Sequence, residues 1–333
     1  MTIKEQCRIT GVTDLLRPPF RYANIALGEV LAEFNPTRTW PIKTNDLASD
    51  DLESRYFAEV KPFHEGGFSD IYKAWDVNMQ RLVAVKVINE DLRLDQKTTE
   101  LEAKTMASIN HPGVPTIYDF TYALTPNGEL KPVMIMEYIR EESLQERLNK
   151  EVIQPDQAIE IVKQVASTID YMDKNHQLYH GDISPDQILL AKPHLKIVDF
   201  ATSSAISTGE EYTEGFVAPE RASDGIRNSA TEEFSLAAVA YHMITGKTVK
   251  VDRNQKGVVI SKFAKIPKWN LKYNFENTDM EFLNQVFEKA LNTNPENRYA
   301  TSSEFAEAFE QAIKNTAINS TTISHLIRGV LQF

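Results

Sequence analysis

Four charged side chains in the 333-residue chain sit where a chemical reason is needed. Lys86 ends the apolar run "VAVK". Glu102 shares a helical face with Met106 and Ile109, so it points the same way as an apolar stripe. An inward charge is expected to be paired, and Lys86 is the available cation. Such a pair would aim an ammonium at an anionic ligand. Asp182 lies in "HGDISPDQILL", and Asp199 closes the apolar run "LKIVDFA" twelve residues past Gln187. Two strand-flanking aspartates suit a general base and a divalent cation.

These side chains need elements to hold them. From Arg55 onwards, "RYFAEVKPF", "DIYKAWD" and "RLVAVKVIN" predict short strands of an antiparallel meander. Gly66 and Gly67 fall between them in a hairpin-like setting. A helix over about 94–109 ends at "NHPG", and "TIYDFTYAL" and "VMIMEYI" add two strands around the turn "TPNGEL". The chain then turns helical. "PDQAIEIVKQVASTIDYMDKNH" sets Ile159, Val162, Ala166, Ile169 and Met172 on one face. "TEEFSLAAVAYHMITG" is apolar nearly all round, as a helix at a lobe's centre would be. Two further helices are expected near 280–291 and 302–315. The reading is α+β: a strand-rich lobe followed by a helix-rich one, with a cleft between.

The flanks read differently. Residues 1–54 carry proline breaks around one possible short helix and are expected to form an N-terminal extension, a surface strap. Residues 247–277, locally basic, are expected to be a loop-rich connection. With 36 basic against 47 acidic side chains, a net charge of −11 argues against nucleic acid or an anionic membrane as the main partner. The single cysteine, Cys7, excludes an internal disulfide and a cysteine-built metal site. No apolar run approaches the roughly 20 residues that span a bilayer. The first residues lack the apolar stretch of a signal peptide, so cytoplasmic residence is the expectation.

Taken in order, "GGF", "VAVK", Glu102, "HGD", "DFA", "APE" and "NPENR" resemble the protein-kinase signature. The resemblance spans about 55–314 and implies a bilobal fold: an antiparallel β-rich N-lobe over 55–139 and a larger helical C-lobe over 140–314, with 315–333 as a C-terminal tail. It implies phosphoryl transfer from ATP, with Mg²⁺ or Mn²⁺, to a Ser/Thr hydroxyl of a protein substrate. By resemblance, Gly66 and Gly67 would cover the ATP phosphates. Ile71, Ala84 and Leu189 would enclose the adenine, and Glu137 to Ile139 would form the hinge behind the gatekeeper Met136. Lys86 would hold the α- and β-phosphates and pair with Glu102. Asp182 would accept the proton of the attacking hydroxyl, and Asp199 and Gln187 would bind the metal. Thr213 would line the substrate platform, and Glu220 would pair with Arg298 for structure alone.

The sequence departs from that signature at several places. His64 and Ser69 replace two glycines of the phosphate loop, and Ala201 replaces the glycine of D-F-G. Gly181 replaces the arginine that docks a phosphorylated activation loop in the family, and Ser184 replaces a catalytic-loop lysine. Gln187 offers the metal the same amide oxygen as the family's asparagine, one methylene further out. Two other readings stay open: a pseudokinase that signals by conformation as a scaffold or partner, and a small-molecule phosphotransferase, which the H-G-D form resembles.

Overall fold

The computed structural model describes residues 39–42, 55–65, 69–89, 104–125, 128–200, 212–253, 259–266 and 280–314. The chain divides into two compact units, residues 1–109 with 115–139 and residues 110–114 with 140–333.

The first unit is built on an antiparallel sheet. Its strands are β1 (Thr39–Ile42), β2 (Tyr56–Glu59), β3 (His64–Glu65), β4 (Ser69–Asp76), β5 (Arg81–Ile88), β6 (Ile117–Leu124) and β7 (Leu130–Glu137). Their order is β1-β2-β4-β5-β7-β6, and β3 also pairs with β4. Side chains directly opposite one another share a face, so the register assigns every residue a side. Val85 opposes Tyr72 and Ile135, and Val83 opposes Ala74 and Glu137. That face carries the core, with Trp40, Ile42, Tyr56, Val83, Val85, Val87, Val133 and Ile135 buried together. Each such aliphatic side chain contributes roughly 1.5–3 kcal/mol when fully buried. The β4–β5 turn is organised by Asp76, whose fully buried carboxylate accepts two bonds from Arg55 (3.0 and 2.9 Å) and one each from the Asn78 and Met79 N–H groups.

One expectation is corrected here. Residues 39–42 fall inside the supposed surface strap, yet they form a strand of the sheet, with Trp40 opposite Ala58 and Ile42 opposite Tyr56. Both side chains are buried in the core. A four-residue run holding a proline shows no strand-like alternation, and Pro41 is tolerated because β1 lies at the sheet's edge. Of the helix expected over 94–109, residues 104–107 are helical, and 90–103 lie outside the described residues.

The second unit contains α1 (Leu144–Lys150), α2 (Pro155–His176), α3 (Pro219–Asp224), α4 (Ser229–Thr245), α5 (Glu281–Ala290) and a helix α6 over 302–314. The expected stripe on α2, Ile159 to Met172, is buried throughout. Helix α4 is buried on nearly every side, Glu232 and Glu233 included. Its N-terminus is closed by Asn228 and Thr231, each side chain taking the other's N–H at 3.0 Å. Asp170 of α2 caps α6 by accepting from the Ser302 and Ser303 N–H groups at 3.0 and 2.9 Å. The expected connection over 247–277 contains an antiparallel hairpin, β10 (Lys250–Arg253) with β11 (Val259–Lys262). Its strands are exposed or half-buried and bury no side chain fully, so the hydrophobic pattern that would announce them is missing.

Candidate active site

The sheet of the first unit has a second face. Ile71 and Met134 both oppose Lys86, and Lys73 and Met136 both oppose Ala84. Ile71, Ala84, Lys86 and Met136, four residues expected around a nucleotide, therefore share the face away from the Val83–Val85–Val87 core. Lys86 is only 6% exposed, so its ammonium is held inside rather than at a solvated strand end. At the end of β7, Glu137 is clamped to Thr116. Its N–H donates to the Thr116 carbonyl at 2.8 Å, and its carboxylate accepts the Thr116 N–H at 3.1 Å. The clamp fixes the strand just before Ile139, where the first unit ends. Tyr138 meets the edge of Phe63 at 5.9 Å and carries Lys73 Nζ over its ring at 5.1 Å. Gly66, Gly67 and Glu102 lie outside the described residues.

The second unit gathers Asp182, Ser184, Gln187, Leu189 and Asp199 on two loops that are bonded together. His180 joins them. Its Nε2 lies 2.8 Å from the Val198 carbonyl, and its Nδ1 accepts the Asp182 N–H at 3.2 Å. A carbonyl only accepts and an N–H only donates, so this geometry assigns a neutral imidazole with its proton on Nε2. The ring also lies 4.9 Å from that of Phe200. A second tie runs from the Val198 N–H to the Gln187 carbonyl at 2.9 Å. Asp199 follows at once, in the left-handed region with φ 63°, a conformation that aspartate tolerates better than most side chains.

Asp182 has both carboxylate oxygens engaged by one residue. The Thr213 N–H donates to Oδ1 at 2.7 Å and the Thr213 hydroxyl to Oδ2 at 3.1 Å. Ser184 is 1% exposed, and its hydroxyl has no hydrogen-bond partner among the described residues. The 3₁₀ turn Pro185–Gln187 leads into the two-residue strand β8 (Ile188–Leu189), in which Ile188 is buried and Leu189 half-buried. Strand β8 pairs with β9 (Lys196–Ile197).

Two residues that the sequence did not flag support this loop. Glu232 of α4 accepts the Gly181 N–H at 2.7 Å from a fully buried position. Burial pushes its carboxyl up to about 7, against the pull of the Gly181 and His180 backbone and of the Arg227 charge. Arg227 packs against Gly181 itself. The signal for Glu232 was present: two adjacent glutamates in a helix otherwise apolar all round. Further out, Arg298 makes the paired contact with Glu220 at 2.6 and 2.8 Å, its side chain fully buried.

Residues 57–312 match the model of the protein kinase domain family. The chain belongs to the protein kinase family. Among relatives of this kinase domain, the serine/threonine-protein kinase PknB of Mycolicibacterium smegmatis is 30% identical over 268 residues, 76% of this chain and 42% of PknB. The serine/threonine-protein kinase PrkC of Bacillus subtilis is 28% identical over 196 residues, 55% of this chain and 29% of PrkC. The chain thus spans about two fifths or less of the length of these curated relatives. The PknI kinase domain of Mycobacterium tuberculosis shares the fold, with a TM-score of 0.57 at 19% identity over 78% of this chain and 95% of that one. No helix among the described residues is long and apolar enough to cross a membrane.

The kinase's donors also fit a divalent cation of the family's type. Asp199 and Gln187 offer a carboxylate and an amide oxygen, hard donors that suit Mg²⁺. Among the described residues no cluster of three or more His, Cys, Asp or Glu side chains could cage a metal alone.

Proposed function

We propose that this kinase domain transfers the γ-phosphoryl group of ATP to a serine or threonine hydroxyl of a protein. The observation that carries the reading is the setting of Asp182. Its carboxylate is oriented by Thr213, and its backbone is tied through His180 to the segment that bears Asp199. A base held from two sides is ready to orient a hydroxyl and accept its proton as the oxygen–phosphorus bond forms and ADP leaves. Lys86 would supply positive charge to the α- and β-phosphates with Glu102 as its partner. Gly66 and Gly67 would cover the phosphates, Ile71, Ala84 and Leu189 would enclose the adenine, and the segment Glu137–Ile139 would hold its edge. Asp199 and Gln187 would hold Mg²⁺, which when bound neutralises the phosphate charge. The names of the relatives, serine/threonine-protein kinases, favour a protein acceptor over a small molecule. We also propose a cytoplasmic site of action, in keeping with a single cysteine.

A scaffold without transfer is the reading that Ser184 favours, since a buried hydroxyl replaces an ammonium beside the reacting groups. Label transfer from γ-labelled ATP with Mg²⁺, followed by identification of the labelled amino acid, separates the two. Label on serine or threonine that Asp182→Asn removes supports the kinase. No transfer, with ATP-dependent thermal stabilisation intact, leaves the scaffold.

A further inference from the structure

Gly181, the residue before the proposed base, is enclosed on three sides. Its N–H donates to buried Glu232 at 2.7 Å. Its carbonyl faces Arg221 Nε at 3.5 Å, and Arg221 is 2% exposed. Its φ is 79°, and a Cβ added there would meet Arg227 at Nε 2.6 Å, Cδ 2.9 Å and Cζ 3.0 Å. The side-chain space of position 181 is therefore filled by an arginine that enters from the loop between α3 and α4, 46 residues later. A glycine is required on both counts, for its positive φ and for the volume that Arg227 takes.

From this packing we infer that Arg227 is a positioning residue for the catalytic loop. Its guanidinium, packed where a Gly181 side chain would lie, holds the Gly181 backbone in place from the side away from its bond to Glu232 and thereby sets Asp182. The loop is secured from within the fold by Arg227 and Glu232, with no charged side chain of its own at position 181. The role rests on the reading of Asp182 as the base, but the contact itself does not.

Two measurements keep these apart. The first is a thermal-unfolding cycle of wild type, Gly181→Ala, Arg227→Ala and the double variant. Gly181→Ala meets both backbone strain and the guanidinium in the wild-type background, and strain alone once Arg227 is gone. The midpoint loss is expected to be about 2–6 °C larger in the wild-type background. Equal losses in the two backgrounds overturn the inference. The second is transfer kinetics. Arg227→Ala is expected to lower kcat about tenfold or more, with KM for ATP changed less than about twofold, and Arg227→Lys to recover part of the loss. An unchanged kcat, or a loss confined to KM, overturns the positioning role. If wild type transfers no label, the proposed function fails, and the unfolding cycle alone decides whether Arg227 holds the loop.

Discussion

Arg298→Met should be among the most damaging single changes in the second unit. The guanidinium donates two bonds to Glu220, at 2.6 and 2.8 Å, from a side chain that is 0% exposed. It also donates to the Asn292 and Ala230 carbonyls at 2.8 and 2.9 Å. Removing it leaves Glu220, only 12% exposed, without its cation and takes a donor from the Asn292, Ala230 and Thr293 carbonyls. Breaking a buried pair from one side costs about 3–5 kcal/mol. For a domain of this size that is a fall in Tm of roughly 6–20 °C. Glu220→Gln should cost less, because a second carboxyl is at hand. Glu233 is fully buried, neither oxygen has a hydrogen-bond partner among the described residues, and burial raises its pKa well above the usual carboxylate range. The Arg298 charge favours its ionisation and the Glu220 charge opposes it. Loss of the Glu220 charge removes that opposition and shifts Glu233 towards ionisation, which the Arg298 charge favours. Replacing both partners with methionine should cost less than Arg298→Met alone. Urea unfolding of the three variants tests the ordering. A loss below about 1 kcal/mol for Arg298→Met, or a larger loss for Glu220→Gln, would refute the reasoning.

Other perturbations give further outcomes. Glu232 has its folded pKa raised from 4.5 to about 7 by burial, so the folded state holds a proton that the unfolded chain releases between those values. The contribution of Glu232 to stability should be greatest below about pH 4.5 and fall by on the order of 3 kcal/mol as pH rises through 7. Glu232→Gln should flatten that slope in urea titrations, and a slope unaffected by the substitution would rule Glu232 out as its source. Trp40→Ala should cost about 3–5 kcal/mol, since the ring is buried and lies edge-on to Tyr72 at 5.8 Å. A loss under about 1 kcal/mol in urea unfolding would mean that β1 is not part of the folded sheet. Gln187→Asn should raise the transfer rate, by up to about 10²-fold if the longer side chain mis-sets a metal ligand. A rate lowered by Gln187→Asn would show the glutamine to be the better fit.

What was legible in the sequence was what repeats or faces inwards. The α2 stripe is visible because burial on one helical face forces the 3.6-residue period. Lys86 after "VAV" reads alone as a solvated strand end, and stands out only beside the inward Glu102 and the ordered motifs. The Glu220–Arg298 pair came from motif order alone. Contacts between residues far apart in the chain, carried by neither period nor motif, were not legible. Trp40 is anchored by strand pairing whose four-residue run shows no alternation. Arg227 looks like a loop arginine until Gly181, 46 residues earlier, is seen to leave it room. Thr213 was placed on the substrate platform, but its two bonds to Asp182 depend on how the chain folds back.

The most direct test is the initial rate of γ-phosphoryl transfer to serine or threonine by wild type beside Asp182→Asn, after both are shown to bind ATP by thermal shift. A base that takes the hydroxyl proton predicts a loss of about 10²–10⁴-fold with KM for ATP little changed. Equal rates in the two proteins would contradict the assignment of Asp182, and with it the mechanism proposed for this kinase domain.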